Sequence, residues 1–150
     1  MAGVCVGGAI LVAEPAKAES FRLVSGSSSA LLVADMDSVR RVGGVVSFST
    51  VMFSRRVEYF NARPSWATQT ANEIDCRTNQ RREGRARYLA EGGVLISSET
   101  VTGGWQSIPP RSTGMAIRDL VCEGRITENN IEFGDSFGRA EEMARRVLGH

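Results

Sequence analysis

At 150 residues, with 42% hydrophobic and 23% charged side chains, the chain suits a single globular domain that buries about 68–70% of its unfolded surface. A formal net charge of +1 gives no electrostatic ground for a nucleic-acid partner. The kind of charge excludes more: among 18 basic residues the only lysine is Lys17, and the only histidine is His150. Ser-His-Asp catalysis, Schiff-base chemistry and a His/Cys zinc site therefore lack their residues, and neither a cofactor nor a metal is expected. Asp35/Asp37 and Glu141/Glu142 are carboxylate pairs, but solvated turn and helix-surface roles are the simpler reading. The expectation is a protein that is not an enzyme.

Residues 1–18 read as a signal peptide. An apolar run over residues 4–13 precedes Ala16-Lys17-Ala18, which fits the small-x-small rule for signal peptidase and places a mature start at Glu19. No Lys or Arg precedes the run, so either the true start lies upstream of Met1 or the segment is not a signal. The run falls short of the ~20 apolar residues that cross a bilayer, so no membrane span is expected.

From Phe21 the patterns are those of strands. Residues 21–24 are a candidate first strand and 30–34 a continuous apolar run, separated by the serine-rich turn 25–29, and Asp35-Met36-Asp37-Ser38 supplies side chains that bond their own backbone in a turn. Gly43-Gly44 predicts a hairpin into a long strand over 45–53. Val46, Phe48, Thr50 and Met52 alternate there with Val45, Ser47, Ser49, Val51 and Phe53. Residues 57–60 end that strand and 61–70, holding Pro64 and Trp66 among polar residues, read as a loop. Arg55, Arg56, Tyr59 and Trp66 form a candidate recognition cluster, since arginine and aromatics dominate binding hot spots. The alternative is that Trp66 packs over the sheet.

Residues 71–76 are extended. Arg77, Arg81, Arg82, Arg85 and Arg87 then crowd one short stretch, offset by Glu83. Guanidinium forks suit sulfate, phosphate and carboxylate, so the stretch is a candidate anion-binding strip; a solvated hairpin blunting an edge strand is the plainer reading. Strands over 85–89, 94–101 and 105–108 are separated by Glu91-Gly92-Gly93 and Gly103-Gly104, and Pro109-Pro110 ends the last. Ser112 is placed to cap a helix carrying Met115, Ala116, Ile117, Leu120 and Val121. Cys76 and Cys122 are the only cysteines beyond Cys5, and in an oxidising compartment such a pair is most simply a disulfide, here pinning helix to sheet. Beyond it, Ile131-Glu132-Phe133 is an apolar hook, and Asp135 or Ser136 caps an amphipathic helix that Gly149 ends. Its stripe is Phe137, Ala140, Met143, Ala144, Val147 and Leu148. That stripe must bury on its own sheet or on a partner.

The ordered set Asp75, Cys76, Tyr88, Trp105, Ile108, Pro109, Ser112, Val121 and Cys122 resembles the surface-adhesin protein E family, and residues 32–41 and 45–53 are similar to its upstream strands. The likeness covers about residues 20–123. Pro110 and Arg111 stand where the family has a Pro-Gly pattern, and residues 124–150 extend past the closing cysteine. The division is thus a signal peptide over 1–18, an adhesin E-like domain over 19–123 and a C-terminal extension over 124–150. The fold class is α+β: an antiparallel sheet of about six strands with the helices on one face. The resemblance implies an extracytoplasmic, non-enzymatic binding module of a bacterial envelope, in the periplasm, at the outer-membrane surface or secreted. It binds a protein or anionic ligand, with a homodimer as one form. The alternative is a structural subunit of an envelope assembly, docked through its C-terminal helix.

Overall fold

The computed structural model describes residues 20–150, so the export segment lies outside the described residues. Six antiparallel strands form a meander: β1 (Phe21–Gly26), β2 (Ala30–Val42), β3 (Val45–Phe60), β4 (Arg63–Asp75), β5 (Gln80–Leu89) and β6 (Leu95–Thr100), adjacent in that order. A two-residue β7 (Gln106–Ser107) pairs with the start of β5, alongside Gln80 and Arg81. A 3-10 turn (Glu91–Gly93) links β5 to β6, and helices α1 (Thr113–Glu123) and α2 (Phe137–Leu148) complete the domain.

The expected class and strand count hold, with three corrections. The turn chemistry at 35–38 is present but does not break the strand. Asp35 Oδ1 accepts from the N–H groups of Asp37 and Ser38 (3.1 and 3.2 Å), making a bulge inside β2, while the Ser38 hydroxyl accepts from the Ser49 N–H (2.8 Å). Residues 63–70 belong to β4 rather than to a loop. The hairpin turns on Asn61 and Ala62, both left-handed (φ 51° and 61°), a job for which Asn-Gly is the usual signal. Pro64 is tolerated because β4 pairs with β5 only from Ala67 onward, so the missing N–H has no ladder to break on that side.

The third correction concerns the layers. From Val45↔Asp75 to Phe53↔Ala67 the β3–β4 register is unbroken, so odd and even residues stay on opposite faces. Val46 and Phe48 pack with Ile74, Ile117 and Val121, whereas Val51 and Phe53 pack with Val33, Ala140, Ala144 and Leu148. The helices therefore cover opposite faces, because the buried parity of β3 changes at Thr50–Val51. Met52 continues the alternation seen in the sequence yet is 42% exposed.

Each helix is fixed at its own place. In α1, the Ser112 hydroxyl accepts from the Met115 N–H (3.2 Å) and Gly124 closes the helix at φ 64°. Its far end is tied down by the Cys76–Cys122 disulfide (Cα–Cα 5.8 Å), and Arg41 donates to the Cys122 carbonyl (2.8 Å). In α2, Glu141 is buried at 6% exposure, so the helix-surface role expected for it is overturned. Its carboxylate accepts from Trp66 Nε1 (3.0 Å) and from the Gly92 N–H (3.0 Å), with Arg145 3.6 Å away. The stripe expected on α2 faces the chain's own sheet: Ala140, Ala144 and Leu148 are buried and Phe137 and Met143 pack against them, while Val147 is exposed. The hook at 131–134 pairs with β1, so the C-terminal extension shares the core of the domain.

Two stability outcomes follow. Left-handed backbone costs a β-carbon-bearing residue roughly 1–2 kcal/mol, partly offset for glycine by its freer unfolded chain, so Ala62→Gly raises unfolding free energy by about 0.5–1 kcal/mol in urea titrations. Replacing Cys76 and Cys122 together by serine lowers it by about 4 kcal/mol, the chain-entropy value for a loop of this length, and reducing the parent protein has the same effect.

Candidate binding surface

Helices of 11 and 12 residues are about 17 Å long, while β3, at 16 residues, runs about 50 Å. Each face of the sheet is therefore left partly bare, and the bare regions decide what the molecule can present.

On the face that carries α2, β5 contributes three of the five clustered arginines. Arg87 stands beside Gln69 on β4 and Ser98 on β6, Arg85 beside Thr100, and Arg82 beside Glu73; Gln69 lies in register with Val51, which faces α2. Arg82 is occupied: it pairs with Glu73 and its guanidinium lies 4.7 Å from the Trp105 ring centre. Arg87 donates to Gln69 Oε1 (3.0 Å), and Arg85 is exposed. Neither Arg85 nor Arg87 has an ion pair among the described residues. Arg81, in register with Ile74, belongs to the α1 face near Gly114. Arg77 lies over Gly44 at the hairpin end and bonds Asp75. The strip thus divides into an exposed column and two outliers.

Beside the column, small side chains leave a shallow trough of about 400 Å³, lined by Ser38, Ser47, Ser49, Ala71, Glu73 and Gly84 among others. It holds no convergent set of catalytic groups, and no cluster of metal-binding side chains occurs among the described residues.

The other candidate cluster splits. Arg55, Arg56 and Tyr59 are exposed on the β3–β4 hairpin, with Tyr59 at 71%. Trp66 is buried beneath α2, bonded to Glu141, stacked under the Arg145 guanidinium (4.4 Å) and edge-on to His150 (5.4 Å). It takes no part in an exposed surface.

On the opposite face, Tyr88 stacks on Phe60 (4.0 Å between ring centres) and donates to Glu99 Oε1 on β6. Ionising the phenol would lose that bond, would set two negative charges side by side and is opposed by partial burial, so the phenol is pushed up to about 12. The sequence carried no signal for this pair: Tyr88 and Glu99 come together through the β5–β6 register alone.

The positions that carry the resemblance noted in the sequence take clear structural places. Asp75 caps the β4–β5 turn through the Arg77 and Thr78 N–H groups (2.9 and 3.3 Å), Trp105 supports Arg82, Ile108 is buried in the core under α1, and Ser112 caps that helix. Arg111 adopts φ 57°, the conformation a Pro-Gly pattern would give to glycine. The family model for Surface-adhesin protein E matches residues 21–123. The chain belongs to this family. Membership of a surface-adhesin family implies an extracytoplasmic, surface-exposed protein, and no described helix is long and apolar enough to cross a membrane.

Solved structures agree on the fold. Crystal form II of Haemophilus influenzae protein E superposes with a TM-score of 0.60 at 16% identity, covering 77% of this chain and 98% of that one. A second structure of Haemophilus influenzae protein E gives 0.58 at 16%, covering 75% and 92%. Protein E from non-typeable Haemophilus influenzae gives 0.54 at 15%, covering 97% of both chains. No curated protein sequence matches the chain.

Tyr88 supplies a titration test. A phenol whose folded value is raised above its unfolded value, about 10, contributes stability that is complete below the unfolded value and is lost as pH climbs toward 12. Ultraviolet titration shows one tyrosine ionising near 12, and Glu99→Gln moves it down toward the ordinary range.

Proposed function

We propose that this protein is a non-enzymatic, adhesin-like binding module whose contact surface is the arginine column of β5 beside the trough, and whose partner presents anionic groups. The observation that carries the reading is the state of Arg85 and Arg87: exposed, in one column and without carboxylate partners among the described residues, in a domain whose other arginines include many that are paired. Guanidinium groups held on a strand are preorganised for carboxylate, sulfate or phosphate, and each bond formed is charge-assisted. The sequence has no lysine beyond Lys17 and no histidine before His150, which argues in the same direction, away from acid–base or covalent catalysis. Arg55, Arg56 and Tyr59 form a second, smaller basic and aromatic patch at the hairpin, which we assign an accessory role.

The reading is tested by binding to a heparin-derived oligosaccharide and to an acidic peptide as anionic probes. The double variant Arg85→Ala/Arg87→Ala weakens binding about tenfold or more at low ionic strength, and the loss shrinks as salt screens the parent protein. Equal affinity of parent and double variant, or no binding of either probe by the parent, sinks it. Arg77→Ala, away from the column, serves as the control and leaves affinity unchanged.

A further inference from the structure

The two edges of the sheet are treated differently. Along β1, the hook closes the ladder: the Phe21 N–H donates to the Gly134 carbonyl (2.9 Å), the Leu23 N–H to the Ile131 carbonyl (3.0 Å), and the Phe133 N–H to the Phe21 carbonyl (2.7 Å). Along β6 no strand follows among the described residues. The phase of the β5–β6 ladder is set by the Val101 N–H, which donates to the Gly84 carbonyl (2.8 Å). In an antiparallel pair such bonded rows alternate, and the register is regular from Arg85↔Thr100 to Tyr88↔Ser97. Ser97 and Glu99 therefore direct their backbone groups at β5, and Ser98 and Thr100 direct theirs outward to solvent.

This edge carries few of the features by which proteins discourage added strands. It has no proline and no lysine, and Glu99, its one charged residue, is held by Tyr88 on the other face. Beside Arg87 and Arg85 on the α2 face the strand offers Ser98 and Thr100, both short side chains. Strands are about 4.8 Å apart, so an added strand would lie about 9.6 Å from β5, a gap that an arginine and a glutamate side chain span together across the short side chains of β6, with Arg87 exchanging its bond to Gln69 for a carboxylate.

We propose that β6 is a docking edge that takes up an extended acidic segment of a partner protein as an added strand, with carboxylates at alternate positions meeting Arg85 and Arg87. The proposal rests on the anionic-partner reading above and narrows it: a peptide satisfies the outward backbone groups of Ser98 and Thr100 and the two charges together, whereas a sulfated glycan satisfies only the charges.

The test separates these contributions. Ser98→Pro removes one outward N–H without touching a bond to β5, a position at which an edge strand tolerates proline. Its folding is checked by retention of the Tyr88 titration near 12. The probes are a short peptide of alternating Glu and Val, the same peptide N-methylated on alternate amides, and a heparin-derived oligosaccharide. The expected result is that Ser98→Pro loses about tenfold or more in peptide affinity while binding the oligosaccharide as the parent does, and that N-methylation weakens the peptide on the parent protein to a similar degree. Peptide binding indifferent to both changes overturns the added-strand inference and leaves the anionic surface standing. Binding of both probes that survives Arg85→Ala/Arg87→Ala overturns both readings, as does failure of the parent to bind either probe. If Ser98→Pro does not fold, the N-methylated peptide decides the matter on the unaltered protein.

Discussion

The structure depends on a mismatch of lengths. Strands of up to 16 residues build a sheet that two short helices cannot cover, and the helices lie on opposite faces, so each must be held over the right half of its own face. Apolar contact alone is poorly suited to this, because it is non-directional and a helix on a ribbed sheet has several ways to slide. Directional bonds settle the matter. For α1 they are the Cys76–Cys122 bridge and the Arg41 bond to the last helical carbonyls; for α2, the buried Glu141 carboxylate received by the Trp66 indole and the Gly92 backbone. A carboxylate so buried is costly when it loses its donors, which makes the position of α2 all-or-none.

What could be read from the sequence follows from which interactions are local. Ser112 and Ser136 as caps, Gly43-Gly44 as a turn and the amphipathic stripe of α2 are set by neighbours a few residues away, and they take those roles in the structure, with Val147 the one stripe residue left exposed. The cysteine pair was legible for a different reason, since no other partner was available beyond Cys5. What escaped were features decided across the sheet. Ala62 occupies a left-handed turn position that its side chain disfavours, and Pro64 reads as a breaker until one knows that no β5 residue lies opposite. The switch of buried parity within β3 is invisible because Val46, Phe48, Val51 and Phe53 are apolar on either face. The arginine strip appeared as a single feature, and only the register, with its irregularity between Thr70 and Asn72, sorts Arg82, Arg85 and Arg87 from Arg81. Glu141 read as a surface residue because its two donors lie 75 and 49 residues away in the chain.

Several of the positions that carry the family resemblance have a common physical character: they terminate, cap or staple. Asp75, Ser112 and the cysteines hold chain reversals and helix ends, where one residue type performs a task few others can. Strand residues between them need only be apolar or small in the right parity, which many side chains satisfy. A fold can therefore persist at 16% identity. Arg111 fits the same account from the other side, since it holds a left-handed turn position to which its side chain is poorly suited.

The bridge between β4 and α1 has a mechanical aspect. It joins residues 46 apart in sequence, and the chain between them contains β5, β6 and β7, with both the arginine column and the open edge. Tension arriving along the backbone from either side passes from Cys76 to Cys122 through sulfur and bypasses everything between. Roughly 150 Å of chain cannot be paid out while the bond is intact. For a protein of a surface-adhesin family, the strands that would hold a partner are the ones that a pull on the rest of the chain cannot unravel first.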